Sequence, residues 1–570
     1  MATELPDIPK LHEALQLATL KCSERCVYQG AKWAAELLTS MAPLPATPTG
    51  ELPPAYLHPL STNKTEAALE AQEFSQYLLA KSYFDVKEYD RCSHVLEKCL
   101  SRKAVFLHLY SKYIAGEKRK DEASEMVLGP LDGAGTQNKE ISYIMSVLQP
   151  KVDRKDGEKL SEDESFLAWL YGICLLKQKN ETAARDALIS SVIAYPYNWS
   201  AWQDLASTVD SLQDLNNILQ RLPNNIMSNL FVLSTNQELY QTTEPIHSQL
   251  TDLLVIFPTS SWLKTQRALL YYHARDFEEA DQIFDSLLAV DPYRLDYLDH
   301  YSNILYVMER RPKLGFIAQL ALTTDRFRPE TNCVVGNFYS LKSEHEKAVQ
   351  CFRRALTLDK TCLSAWTLMG HEYVEMKNTH AAIEAYRRAV DINRKDYRAW
   401  YGLGLSYEVL EMHYYALFYF QRAAALRPYD SQMWQAMGQC YDRMNRPSEA
   451  IRSFKRALVT LNKSPSTSKD EPEARSFDPQ ILHQIAIMYE KLRQSKEAAK
   501  WMEACMAEEE NVGVTTVTGQ ARMWLARWAF VNQNWARAQE LANLLCQDGQ
   551  EVEEAKALVR DLRSRGLEVA

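Results

Sequence analysis

The stretch WTLMGHEYVEMKNTHAAIEAYRRAVDINRKDYRAWYGLGLSYEVL, residues 366–410, contains the start of its own next copy. Trp366, Gly370 and Tyr373 return as Trp400, Gly404 and Tyr407, 34 residues later. Working outward, the same step links Gly336, Gly370, Gly404 and Gly438, and three residues after each stands Tyr339, Tyr373, Tyr407 or Tyr441. Further columns hold Ala348, Ala382, Ala416 and Ala450, then Phe352, Tyr386, Phe420 and Phe454, then Ala355, Ala389, Ala423 and Ala457. Trp366, Trp400 and Trp434 complete the set. Six columns in register identify one structural unit repeated in tandem.

With the glycine placed at repeat position 8, Trp falls at 4, Tyr at 11, Ala at 20, the aromatic at 24 and a second Ala at 27. Trp, Gly and Tyr share one stripe at helical spacing, which predicts a helix A; the alanine and aromatic columns predict a helix B. Glycine costs about 1 kcal/mol inside a helix, so Gly336, Gly370, Gly404 and Gly438 predict close helix packing, with helices A and B crossing there. The aromatic at 24 is expected to face the next repeat. The pattern resembles the tetratricopeptide repeat, and that resemblance implies an all-α solenoid: a right-handed superhelix of helix pairs with a concave groove lined by A helices.

The register weakens outward. Ala268, Tyr271, Ala280, Phe284 and Pro292 fit it, as do Gly172, Ala184 and Pro196, and a degenerate unit runs from Leu298 to Ala321. Ala80 and Tyr83 open a unit near the start; Ala486, Tyr489 and Ala498 resume it downstream, and Trp524 to Leu545 reads as a last pair. About 12–14 repeats are expected from the period. The expected organisation is N-terminal helices with a Pro-rich loop over 1–70, N-terminal repeats over 71–260, regular repeats with the groove over 261–462, a polar linker over 463–478 and C-terminal repeats over 479–570. The Pro-rich stretch spans 41–65, and a Gly- and charge-rich insert runs from Gly129 to about Lys159. Thr47–Pro48 and Ser464–Pro465 have the form of proline-directed phosphorylation sites and equally of unmodified loop residues.

Of 570 residues, 46% are hydrophobic and 24% charged, the balance of a chain with a large buried interior. The net charge of −9 disfavours a nucleic-acid partner, whose affinity comes from clustered cations. MATELPDIPK is not a signal peptide by pattern, and no run of about 18 apolar residues predicts a membrane span. Eleven cysteines lack a disulfide-like or zinc-like spacing, and reduced buried thiols in a cytosolic or nuclear protein are expected.

No motif carries catalysis. Gly402 and Gly404 lack a third glycine and a preceding strand, so they form no phosphate loop. His371 and Glu372 are followed by Glu375 where a zinc protease needs its second histidine. No catalytic residue, metal or cofactor is expected.

On helix A, repeat positions 2, 5, 9, 12 and 13 face away from the Trp-Gly-Tyr stripe. They place Asn337, Ser340, Ser364, His371, Glu375, Arg398, Tyr401, Glu408, Gln439 and Asp442 on the concave side, with Glu372 at the rim. An amide can pin an extended peptide backbone and a carboxylate can receive an arginine fork. Solvated polar residues on a wall are the plainer alternative.

LLAKSYFDVKEYDRCSHVL (78–96), DPYRLDYLDHYSNILYV (291–307), the opening 366–410 stretch and LRPYDSQM (426–433) resemble the subunit-8, or cell-division-cycle-23, family of the anaphase-promoting complex. The resemblance covers residues 70–460. It implies a non-enzymatic scaffold part of a ubiquitin ligase in the nucleus and cytoplasm. Such chains homodimerise through N-terminal repeats, stack on related repeat subunits and receive an arginine-containing motif of a coactivator protein. Asn337 and Glu372 lead the coactivator-binding residues so implied. The end GLEVA lacks the long polar tail of animal members and points to a fungal or divergent one. A co-chaperone clamp is a rival, but its five positions hold Cys333, Asn337, Leu368, Arg398 and Gly402, which supply only one of its amides and one cation. A repeat arm on an enzyme is a second rival, and the chain beyond the repeats is too short for a catalytic domain.

Overall fold

The computed structural model describes residues 7–41, 63–123, 138–152, 160–241, 244–461, 477–509, 513–548 and 552–564. Thr47, Ser464 and most of the Pro-rich stretch and polar linker lie outside them. Among the described residues there are 29 helices and no strand: fourteen consecutive pairs and a final helix, Val552–Ser564. The insert between Gly129 and Lys159 contributes one of them, Glu140–Val152. Among the described residues no helix is long and apolar enough to cross a membrane. The chain forms two compact units, Met1–His273 with Glu278–Pro292, and Ala274–Phe277 with Tyr293–Ala570.

The second unit holds the regular repeats. Helix A and helix B are Pro329–Leu341 and His345–Leu358 in the Gly336 repeat, and Leu363–Glu375 and Thr379–Ile392 in the Gly370 repeat. The Gly404 repeat has Tyr397–Val409 and His413–Leu426, and the Gly438 repeat Ser431–Arg443 and Pro447–Leu461. One contact recurs in all four. A Cβ placed on Gly336, Gly370, Gly404 or Gly438 would lie 2.4–2.6 Å from a ring carbon of Phe352, Tyr386, Phe420 or Phe454. The aromatic at position 24 therefore lies on the glycine of its own repeat, where the sequence pattern had it facing the next one. Tyr386 does both, because a Cβ on Gly402 would stand 2.4 Å from the same ring. Gly402 is thus a packing residue as well.

The short A-to-B turns use one residue in the left-handed region: Glu309, Ser343, Lys377, Glu411 and Asn445, at φ 53–61° and 34 residues apart. This reverses the chain after a helix end, and side chains other than glycine do it here, in keeping with a chain of only 18 glycines. Each tryptophan indole closes the turn before its helix. Trp366, Trp400 and Trp434 donate from Nε1 to the carbonyls of Lys360, Arg394 and Pro428 at 3.0, 2.8 and 2.9 Å. A further tie joins consecutive repeats: Arg353 donates to the Tyr373 hydroxyl at 2.8 Å, Arg387 to Tyr407 at 2.5 Å and Lys455 to Tyr489 at 2.7 Å.

The first unit is held by apolar packing and by buried charge. Trp33 stacks on Trp199 at 4.3 Å, and Phe106 meets Phe166 and Trp169. Arg25 pairs with Asp163 at 2.7 Å over the Phe166 ring, and Lys103 with Glu24 at 2.6 Å. Buried ions need such partners, because removing one strands the other charge. Trp169 Nε1 donates to the Asp204 carboxylate at 2.7 Å. Burial pushes that carboxyl up to about 6, against the lowering effect of the Trp169 bond and Lys177. Eight of the eleven cysteines are buried, and burial pushes thiols such as Cys22 and Cys440 up to about 12, so they resist ionisation.

Two outcomes follow. Gly404→Ala should destabilise by about 1–2 kcal/mol, the overpacking cost exceeding alanine's helix preference; adding Phe420→Leu should cost less in that background than alone in denaturant unfolding. Asp204→Asn keeps an acceptor for Trp169 and removes a charge that the fold disfavours. Since the folded value lies above the ordinary one, the penalty is absent below pH 3.8 and complete above about pH 6. The variant should gain on the order of 1 kcal/mol at pH 7.5 and nothing near pH 3.5, and a pH-independent difference would refute this.

Candidate functional site

In the second unit consecutive A helices are joined directly by polar side chains. Asn337 Nδ2 donates to Ser302 Oγ at 2.7 Å and to Asn303 Oδ1 at 2.8 Å, both on the preceding A helix, Leu298–Val307. Ser340 Oγ donates to Glu372 Oε1 at 2.6 Å, and His345 Nδ1 meets Glu372 Oε2 at 2.8 Å. Ser364 Oγ reaches Asp299 Oδ2 at 2.6 Å, spanning the A helix between them. Burial alone would raise the Asp299 carboxyl, but His300, the Ser364 hydroxyl and Arg398 hold it below the ordinary range. These ties place the A helices side by side, with their remaining polar positions on one wall.

That arrangement sorts the predicted wall residues into three groups. Asn337 and Glu372, expected on the open surface, are buried at 2% and 5% exposure and bonded within the protein. Their helix positions do face the neighbouring A helix, which covers them; Ser340 and Ser364 are buried for the same reason. Arg398 is partly buried and lies against Asp396 at 3.0 Å, a fully buried carboxylate that also accepts from the Arg398 backbone N–H at the start of the helix. Asp430 and Asp478 cap Gln432 and Gln480 in the same way.

The third group can meet a ligand. Glu375 and His371 are exposed, and Glu408 and Tyr401 are half-buried. Protein atoms enclose the His371 ring although the residue as a whole keeps exposed surface. That enclosure, aided by Arg398, pushes its imidazole down to about 4, so it is neutral at neutral pH; Tyr386 shares a hydrogen bond with its Nδ1 at 3.0 Å. Burial raises the Glu408 carboxyl, opposed by His413 and Arg443, and raises the Tyr401 hydroxyl, with Glu408 adding to the shift. A carboxylate whose charge is poorly solvated gains most from an incoming cation. Wall chemistry of this kind can receive a guanidinium or a peptide amide. Among the described residues no three His, Cys, Asp or Glu side chains are grouped to hold a metal ion.

Sequence reasoning missed Asp299, Ser302 and Asn303, which belong to the degenerate unit where Ser302 stands in the glycine column, and His345, which belongs to none of the six columns. It also missed the cation-to-tyrosine ties, although Arg353 and Arg387 stand one repeat apart.

The family profile described as anaphase promoting complex subunit 8 / Cdc23 matches residues 10–268, and tetratricopeptide-repeat profiles match 329–362, 370–410 and 434–468. The anaphase-promoting complex subunit CDC23 of Saccharomyces cerevisiae is 37% identical over 96% of this chain and 97% of its own length. The chain belongs to the subunit 8 / Cdc23 family. Anaphase-promoting complex subunit 8 of Arabidopsis thaliana is 38% identical over 62% of this chain, and the human cell division cycle protein 23 homolog 37% over 55%. The chain spans 64% and 50% of the length of those two relatives. A chain of the crystal structure of the APC/C hetero-tetramer Cut9–Hcn1 is 17% identical and superposes with a TM-score of 0.52 over 89% of this chain and 97% of its own, which shows the shared solenoid fold. In this Cdc23-family chain, then, the A-helix ties described above stand within a tetratricopeptide-repeat array.

The clip around Glu372 is testable. Glu372→Ala should cost about 1–3 kcal/mol by leaving buried partners unpaired, and less once Ser340→Ala is present. Additive costs in denaturant titrations would show that the two side chains act separately.

Proposed function

We propose that the chain is a non-catalytic scaffold subunit of the anaphase-promoting complex, working in the nucleus and cytoplasm to support ubiquitination of cell-cycle regulators. In this reading it homodimerises through its N-terminal repeats, stacks on related repeat subunits and takes the arginine-containing motif of a coactivator on its A-helix wall. Membership of the Cdc23 family supports the assembly. The observation that carries the binding role is that two consecutive A helices keep carboxylates in reach of solvent, exposed Glu375 with His371 on one and half-buried Glu408 with Tyr401 on the next.

The wall divides the labour. Glu375 and Glu408 receive the guanidinium, and the neutral His371 adds no repelling charge. Tyr401 offers a ring and a hydroxyl, and Arg398 stays on Asp396. Asn337 and Glu372 belong to the site as positioning residues, fixing the A helices that carry the open groups. A repeat adaptor gripping a chain terminus by a basic clamp is the second reading, and the wall's carboxylates argue against it.

The test is a titration of the full chain with a labelled coactivator peptide carrying the arginine. Glu375→Lys with Glu408→Lys should weaken binding at least about tenfold, the loss of one charge-assisted bond, with the fold retained by circular dichroism, since Glu375 is exposed and Glu408 is only half-buried. Unaltered affinity in a folded double variant would remove the wall from the coactivator site.

A further inference from the structure

The repeats serve as controls for one another, and one surface helix departs from the rest. Repeat positions 18, 19 and 22 lie on the outer side of helix B. They hold Glu346, Lys347 and Gln350 in the Gly336 repeat, His380, Ala381 and Glu384 in the Gly370 repeat, and Ser448, Glu449 and Arg452 in the Gly438 repeat. The Gly404 repeat holds Tyr414, Tyr415 and Phe418 there, exposed at 68%, 57% and 48%. Val409 and Met412, just before the helix, are exposed as well. Three large aromatic side chains on one solvent face cost solubility and are not needed for the fold, since the same fold forms in three neighbouring repeats with mostly polar residues.

The patch is firmly based. Tyr415 and Tyr419 both stack on Tyr407, at 5.7 and 5.2 Å, and Trp400 stacks on Tyr419 at 6.0 Å. Arg387 holds the Tyr407 hydroxyl from the preceding helix B. Preorganised aromatic side chains lose little freedom on binding, which suits them as interface anchors.

Charge indicates the occupant. Arg422, one turn beyond Phe418, lies over its ring at 5.5 Å, and Arg456 of the next helix B lies over Trp434 at 4.2 Å. Arg422, Arg452 and Arg456 are exposed, and none pairs with a carboxylate among the described residues. In a chain of net charge −9, three arginines without acidic partners, one over the Phe418 ring and two on helix B of the next repeat, are an unfilled complement. We infer that Tyr414, Tyr415 and Phe418 with Arg422, Arg452 and Arg456 form a docking surface for a segment of another protein that carries apolar and acidic side chains together. The apolar groups cover the aromatic rings and the carboxylates meet the arginines. Nucleic acid fits less well, because the chain as a whole carries a net charge of −9 and three arginines are few for a phosphate backbone. This surface is separate from the A-helix wall and does not depend on coactivator binding there.

The test places a photo-crosslinking phenylalanine derivative at Phe418 in the full-length chain within its native complex, with the same probe at the equivalent Gln350 as control. Mass spectrometry should identify one segment of another protein, rich in Asp or Glu with apolar residues between, from position 418 and not from 350. Arg422→Glu with Arg456→Glu should cut that product at least about fivefold, as losing rim charges does, with the circular dichroism of the purified chain unchanged. Crosslinking to nucleic acid, to a second copy of this chain or to a segment without acidic residues would overturn the proposal. So would equal yield at both positions, or no product at 418.

Discussion

An aromatic ring lying on a bare Cα is the contact on which the second unit depends. It pairs Phe352 with Gly336, Tyr386 with Gly370, Phe420 with Gly404 and Phe454 with Gly438. The two partners are always 16 residues apart, one on each helix of the pair. That spacing leaves no slack between helices A and B, so the turn must reverse direction within a few residues, and one residue at positive φ does it. Tyr386 shows how the contact is handed on. Its ring fills the space above Gly370 and above Gly402 of the next repeat, so a single side chain sets both the angle within a pair and the distance between pairs.

Once the pitch is fixed by rings and glycines, polar groups decide which face does what. The arginine-to-tyrosine ties join helix B of one repeat to helix A of the next. The Asn337, Glu372 and Ser364 bonds join A helices to one another. Such groups are costly to bury unless bonded, and bonding consumes the capacity that a ligand would otherwise use. The wall is therefore built from two layers: a bonded layer that fixes spacing, and an outer layer of Glu375, His371, Tyr401 and Glu408 that retains chemical reach. His371 illustrates the second layer, its hydrogen bond to Tyr386 linking a groove residue to the ring that sets the repeat pitch.

The columns of Gly336, Trp366 and Phe352 made the all-α solenoid legible because a 34-residue period over four repeats admits no other regular explanation. The last helix, Val552–Ser564, was not legible: it follows no repeat column, and only Ala555, Leu558 and Leu562 give it a buried stripe. The candidate wall was half legible. Periodicity says which way Asn337 and Glu372 point, but not that the adjacent A helix stands close enough to cover them. That depends on Ser302, Asn303 and Ser340, whose role no single helix reveals. Exposure of Glu375 and burial of Glu372 differ although positions three apart are neighbours on one helix face, because Ser340 and His345 of the preceding repeat cover and bond Glu372.

A periodic scaffold makes deviation informative. Where a position must serve packing, it is held across repeats, as Ala382, Ala416 and Ala450 are. Where it meets only water, polar residues of any sign suffice, as Glu346 and Ser448 show. Tyr414, Tyr415 and Phe418 satisfy neither condition, being aromatic, exposed and unmatched in the adjoining repeats. Their rings stand on the outer helices while the carboxylates proposed for the coactivator stand on the inner ones. Because each helix pair is clamped by its own ring and glycine, a load on one face need not disturb the geometry of the other. A rigid pair with two independent faces can hold two partners at once, which is what a scaffold within a large assembly requires.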